Sequence, residues 1–556
     1  MCEFPRTKPG VCPRWSPGVC PCERPRLLTS GQANGGEGLV SWKDEVDELA
    51  RRQSFAQQMG GPEGVARQRA RGKLTVRERI DALADPGSFR EFMGLTGDAH
   101  YEGTQLTGFT PKPSVEGTCL IDGRKLVVTA GDFTVRGGSA GSRGGLGQEL
   151  ASNVRAREWR IPYVRLLDAA GGSVRSFEEL GRTYLPDGNV WTAIDVELLS
   201  QVPVVSAVMG SVAGLPAINA CLSHFNLMVK DKSQLFPGGP PVVKAALGYD
   251  ITKEDLGGDH IHVKRSGSVE NLASDERHAF ELIRQFLSYL PCNVWEMPPR
   301  GETSDDPNRR EERLLSLIPR NPRQIYDPKL MLDLIVDLDS FFEIAPLYGR
   351  SRVTGLARLN GYPVGVMANN PKHHGGATDV AAGNKVMRLI QLCNTFHLPL
   401  ISFADEPGFM VGLESEKIGI ERAGARLVAM TTQSWMPWLT VVVGRLYGVA
   451  GQCHHRPGGM FRRYAWPSAN WGSMHIAGGA SAAYRREIES AADPEKMRET
   501  IEARLRAVAS PFRTAEATGQ DIIDPRDTRS LLCEFVGDAQ RILQSQLGPP
   551  RIPYLP

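Results

Sequence analysis

Short apolar runs rich in Val, Ile and Leu recur along the chain, most of them bordered by Pro or Gly: Leu126–Thr129, Ile161–Leu167, Val202–Met209, Pro363–Met367, Leu398–Ala404 and Met436–Val443. Runs of this length, apolar on successive positions, predict strands buried on both faces, as in a parallel sheet. Helical stretches between them, such as Ser274–Leu287 and Gly383–Phe396, supply the covering layers. The predicted class is α/β.

The pattern is duplicated. Ile121-Asp122-Gly123 before one strand corresponds to Leu359-Asn360-Gly361 before another, and each predicts a tight turn between neighbouring strands. Asp168 lies six positions after Pro162, and Asp405 six after Pro399. Gly210 lies seven after Pro203, and Gly444 seven after Pro437, with further glycines four positions on at Gly214 and Gly448. The offset between copies drifts only from 238, Gly123 to Gly361, to 234, Gly214 to Gly448. The same punctuation on divergent residues predicts two copies of one unit. The Pro-, Arg- and acid-rich stretch Pro298–Asp327 reads as the connection, with a boundary near Arg310: 40–310 and 311–556.

A chain of 556 residues, 41% hydrophobic and 23% charged, suits two such domains. With 65 basic residues against 63 acidic ones, no net field points to nucleic acid or an anionic membrane. No apolar run approaches the roughly 18–20 residues of a membrane-spanning helix, so a soluble, cytoplasmic protein is expected. Residues 1–39, carrying Cys2, Cys12, Cys20 and Cys22 among prolines and arginines, read as a disordered extension. Translation starting near Val40 is the alternative. The cysteine spacing lacks paired zinc hooks, and the remaining cysteines are scattered singly, as reduced thiols are.

A buried strand that ends in Gly-x-x-x-Gly and turns into a helix leaves backbone N–H groups pointing out of the turn, near the helix's positive end. Such a turn packs strand against helix tightly, and it is also the design of an oxyanion hole.

Three long motifs carry a resemblance: Gly72-Lys73-Leu74-Thr75-Val76-Arg77-Glu78-Arg79-Ile80, Asp132-Phe133-Thr134-Val135-Arg136-Gly137-Gly138-Ser139 and Met228-Val229-Lys230-Asp231-Lys232-Ser233. Leu256-Gly257-Gly258, Glu406-Pro407-Gly408-Phe409 and Tyr464-Ala465-Trp466-Pro467 follow in order. Together they resemble the propionyl-CoA carboxylase β-subunit family, over roughly residues 42–545. The resemblance implies a tandem pair of crotonase-like (ClpP/crotonase) domains and transfer of a carboxyl group from carboxybiotin, carried on a separate protein, to the α-carbon of an acyl-CoA. It places the acyl-CoA hole on the amides of Gly214 and Leu215 and the biotin hole on those of Val449 and Ala450. It assigns Arg136, Gly137, Gly138, Gly171 and Gly172 to CoA, within a glycine-rich loop spanning 131–147, although an exposed Arg136 is equally a solvated loop residue. Gly448 and Gln452 fall in the acyl or biotin pocket. Family members often have Asp where Gln452 stands, which implies a changed acyl preference. Leu215 replaces a second glycine, and Pro216 lacks an N–H. A biotin carboxylase, a biotin carboxyl carrier protein and a homo-hexamer are the implied partners, since no Ala-Met-Lys-Met biotinylation sequence is present.

Other readings compete. Gly137-x-Ser139-x-Gly141 fits a hydrolase nucleophile elbow, but Arg143-Gly144-Gly145-Leu146-Gly147 is a poor helix start. The pairs His373-His374 and His454-His455 lack companion ligand motifs, so no metal is expected. An acyl-CoA decarboxylase on the same scaffold, or a non-catalytic subunit, remains open, because identical holes serve either direction.

Overall fold

The computed structural model describes residues 41–139, 151–172, 174, 177–178, 181–183, 190–321, 324–456 and 458–556. The chain divides into two compact units, Met1–Ala50 and Arg51–Pro556. Residues 1–39, Gly141 and the stretch 143–147 lie outside the described residues.

Within Arg51–Pro556 the predicted duplication is a duplication of sheets. The first sheet has seven strands, ordered β1 (Arg90–Glu91), β2 (Ser114–Ile121), β3 (Arg124–Gly131), β4 (Tyr163–Leu167), β5 (Val204–Val208), β6 (Phe225–Val229) and β7 (Asn271–Ala273). The second, of eight strands, repeats that order with β8 (Phe342–Glu343), β9 (Arg352–Leu359), β10 (Tyr362–Asn369), β11 (Leu400–Glu406), β12 (Trp438–Tyr447), β13 (Phe461–Ala465) and β14 (Asp521–Ile522), and adds Asn470–Gly472 parallel to the end of β12. Along each seven-strand order the first two pairings are antiparallel and the remaining four parallel. The hairpins turn where predicted: Asp122 and Gly123 have φ of 49° and 75°, Asn360 and Gly361 of 51° and 79°. Positive φ at both central residues is what a two-residue hairpin turn demands, which is why Asx-Gly recurs.

The parallel strands β4, β5, β6 and β11 are buried almost along their whole length, as their unbroken apolar runs require. The predicted helices form as Glu276–Ser288, capped by Asp275, and Val380–Thr395, capped by Asp379. Phe286 on the former stacks on Phe225 at 4.7 Å, and Phe225 meets Phe342 of the second half edge-on at 5.5 Å. The halves therefore share one apolar core, which fixes the strand ends of both sheets in one frame.

Candidate functional site

The chemistry-bearing residues gather at the carboxyl ends of the parallel strands, where successive loops lie on one another. After β3, the turn Arg136–Gly138 packs on the loop after β4: the Ala170 amide donates to the Gly137 carbonyl at 2.9 Å. Gly138 has φ 72°, and a Cβ there would stand 2.8 Å from the Ala169 α-carbon. Gly171, φ 85°, lies in turn against the Ala213 carbonyl oxygen, 2.7 Å from where its Cβ would be. Arg136, Gly137, Gly138, Gly171 and Gly214 thus form one layered stack whose glycines all take positive φ, and at Gly138 and Gly171 close approach also requires glycine. Arg136 is exposed and pairs with Asp98.

In the first glycine turn, β5 is followed by the short strand Ser211–Ala213, which pairs with Gln234–Phe236 before the helix Leu215–Cys221 begins. Gly214 takes φ 68° and ψ −137°, a conformation open to glycine. Its amide donates to the Phe236 carbonyl at 3.3 Å, so it is not idle as the sequence suggested. The Leu215 amide donates to no acceptor among the described residues. Neither does that of Gly171, whose α-carbon lies 3.8 Å from the Gly214 Cβ position.

In the second turn β12 runs on to Tyr447 and enters the helix Gly448–Gln452, with φ 59° at Gly448. The amides of Val449 and Ala450 lie in the first helical turn and donate to no acceptor among the described residues. Gly448, Val449 and Gln452 line a cavity of about 790 Å³ with Leu446, Arg463 and Trp471. The sequence-predicted Gln452 therefore shares a cavity with the second turn. Leu215 and Val449 are each about half exposed, at 50% and 54%.

Two features escaped sequence reasoning. First, His374-Gly375-Gly376 repeats the Arg136-Gly137-Gly138 turn, with φ of 50°, 60° and 86° against 51°, 66° and 72°. Matching positions after β10 and β3 carry the signal. Second, a buried polar cluster lies under the second turn. Arg352 on β9 pairs with Glu406 at the end of β11, and both are almost wholly enclosed. Arg352 Nη1 also donates to His454 Nε2 at 3.1 Å, and Ser402 Oγ lies 2.6 Å from His454 Nδ1. Thr378 and Asn369 donate to the same Glu406 oxygen at 2.6 and 3.1 Å. Burial opposes charge on Glu406, yet the Arg352 guanidinium, with Thr378, holds its carboxyl down at about 2. Burial pulls the His454 imidazole below its usual range, against the pull of Glu406.

Ser139 follows the turn Arg136–Gly138 and so does not stand directly at a strand end, where a hydrolase elbow places its nucleophile. His374 pairs with Asp379, and His455 packs edge-on against Phe461 at 4.4 Å. No group of three or more His, Cys, Asp or Glu able to hold a metal occurs among the described residues, and none of their helices is long and apolar enough to cross a membrane.

Two crotonase-like halves, each presenting a glycine turn at its strand ends, define the carboxyltransferase class. The chain belongs to the carboxyl transferase domain family, which matches residues 67–538. It is 36% identical over 503 residues to the propionyl-CoA carboxylase carboxyltransferase subunit of Haloferax mediterranei, covering 89% of this chain and 95% of that one. It is 32% identical over 503 residues to the methylmalonyl-CoA decarboxylase subunit alpha of Veillonella parvula, covering 88% and 95%. Among solved structures it resembles transcarboxylase 12S, described as a hexamer assembly with methylmalonyl-coenzyme A bound, at TM-score 0.79 and 29% identity over 91% and 97% of the two chains.

Proposed function

We propose that this protein moves a carboxyl group from carboxybiotin, held on a separate carrier protein, to the α-carbon of an acyl-CoA. The observation that carries this is the duplication of the glycine turn at equivalent strand ends, with unspent amides in both. Loss of the α-proton puts negative charge on the thioester oxygen, and Leu215 supplies a preset N–H for it, with Gly214 and Gly171 beside it. Val449 and Ala450 do the same for a ureido oxygen. The cavity beside them has room for a ureido ring, and amide donors suit its carbonyl. Bound biotin would supply the carboxyl group and, once that has left, the base for the α-proton. Arg136 would meet a CoA phosphate after giving up Asp98, while Gly137, Gly138, Gly171 and Gly172 let backbone approach the CoA. We assign the acyl-CoA side to residues 40–310 and the biotin side to 311–556.

A biotin carboxylase and a biotin carboxyl carrier protein would regenerate the donor. The hexamer described for transcarboxylase 12S supports a homo-oligomer in which the first half of one subunit faces the second half of another. Half-exposed Leu215 and Val449 suit such facing surfaces.

The decarboxylase subunit among the relatives favours a second reading, the same site run in reverse on malonyl- or methylmalonyl-CoA. Purified protein, a biotinyl carrier and acyl-CoAs from acetyl to long or branched chains decide between them. Carboxyl transfer onto an acyl-CoA supports the first reading, carbon dioxide release alone the second, and silence with every substrate rejects both.

A further inference from the structure

His454 is the second residue beyond the helix Gly448–Gln452, and it ties that helix to three strands of the second sheet. Its amide continues the helix to the Gly451 carbonyl at 3.2 Å. Its carbonyl accepts from Thr440 Oγ1 on β12. Its imidazole reaches Ser402 on β11 and Arg352 on β9. A guanidinium only donates, so in its contact with Arg352 Nε2 accepts, and the tautomer that matches it carries the proton on Nδ1, toward Ser402 Oγ. Charges balance with Arg352 and Glu406 opposed and the ring neutral. The imidazole is 1% exposed and Ser402 is enclosed entirely, so neither touches a substrate, and Ser402 is no nucleophile.

The helix needs such an anchor. It has five residues, two of them the glycines Gly448 and Gly451, and Val449 is half exposed. An oxyanion hole works only while its donors stay preset, to within about 0.5 Å.

We infer that His454 is the positioning residue of the second glycine turn: clamped between Ser402 and Arg352, it fixes the direction in which the Val449 and Ala450 amides face the cavity. The inference rests on the proposed function for what those amides hold.

The test uses full-length His454→Ala and His454→Asn. In the Ala variant, the hydrogen-bonded amides of 452–455 should exchange with deuterium at least about tenfold faster while β9 and β11 keep their protection. In carboxyl transfer from malonyl- or methylmalonyl-CoA to free biotin, kcat/KM for biotin should fall at least about tenfold, with the KM of the CoA donor held within about twofold. Asn keeps a donor toward Ser402 and should recover most of both losses. Unchanged exchange at 452–455, or an equal rise in both KM values, overturns the assignment. If the wild type transfers nothing with any acyl-CoA, the functional reading falls, and exchange alone decides whether His454 positions the turn.

Discussion

A Cβ at Gly444 would stand 2.5 Å from Asp405 Oδ1, and one at Gly210 would fall on the Asp168 carboxylate and the Lys73 ammonium beside it. Asp168 is fully buried and pairs with Lys73 at 2.7 Å and Arg79 at 2.9 Å. Gly210→Ala should therefore lower stability by about 3 kcal/mol, since it both overpacks the core and displaces a buried ion pair. Gly537→Ala, on an exposed helix face with nothing within 4 Å, should raise it by about 0.5–1 kcal/mol. Urea unfolding midpoints of the two variants check both signs.

Leu215 opens a helix, and the residue before it is glycine, so a proline fits there with little strain. Leu215→Pro removes one N–H from the first turn. It should lower kcat about 100- to 1000-fold, the usual effect of one lost oxyanion donor, at an unchanged melting temperature. Steady-state rates with calorimetry on the same preparation measure this.

Arg136 stands at the mouth of the first half, partnered by Asp98. Arg136→Ala should raise the acyl-CoA KM about tenfold and leave kcat within about twofold, because a phosphate contact binds ground and transition states alike. An initial-rate titration with acyl-CoA separates the two constants.

Gln452 lines the cavity of the second turn. Gln452→Asp should change the ratio of kcat/KM between short and longer acyl-CoAs by about tenfold or more, within the 1–3 kcal/mol that pocket contacts commonly discriminate. A panel of acyl-CoAs, wild type against variant, reads the ratio directly.

His224 accepts from the Val204 amide at Nδ1 and donates to the Leu199 carbonyl from Nε2, at 3.0 and 2.8 Å. Burial pulls its pKa from 6.5 down to about 3. The neutral ring therefore contributes fully above pH 6.5, and that contribution is lost as pH falls toward about 3, at about 1.4 kcal/mol per pH unit. Glu406 adds to the loss lower down, as pH falls from 4.5 toward about 2. Urea midpoints between pH 4.5 and 6 should slope downward with acid, and His224→Gln should remove about one proton's share of that slope.

The residue types alone announced the two sheets, their hairpins and the paired glycine turns. Each is a local demand: Asp122-Gly123 and Asn360-Gly361 need positive φ, and Gly210 and Gly444 need the space an aspartate fills. Such demands restrict the residue at one position, so they can be read there. Tertiary structure decided what the backbone and charges of distant residues meet. The Gly214 amide met the Phe236 carbonyl because two short strands pair in that register. Arg352, Glu406 and His454, scattered along the second half, became one buried cluster because β9, β11 and the end of the second turn converge. Nothing at any one of those positions names its partners, since a charge becomes buried and paired only when strands far apart in sequence pack together.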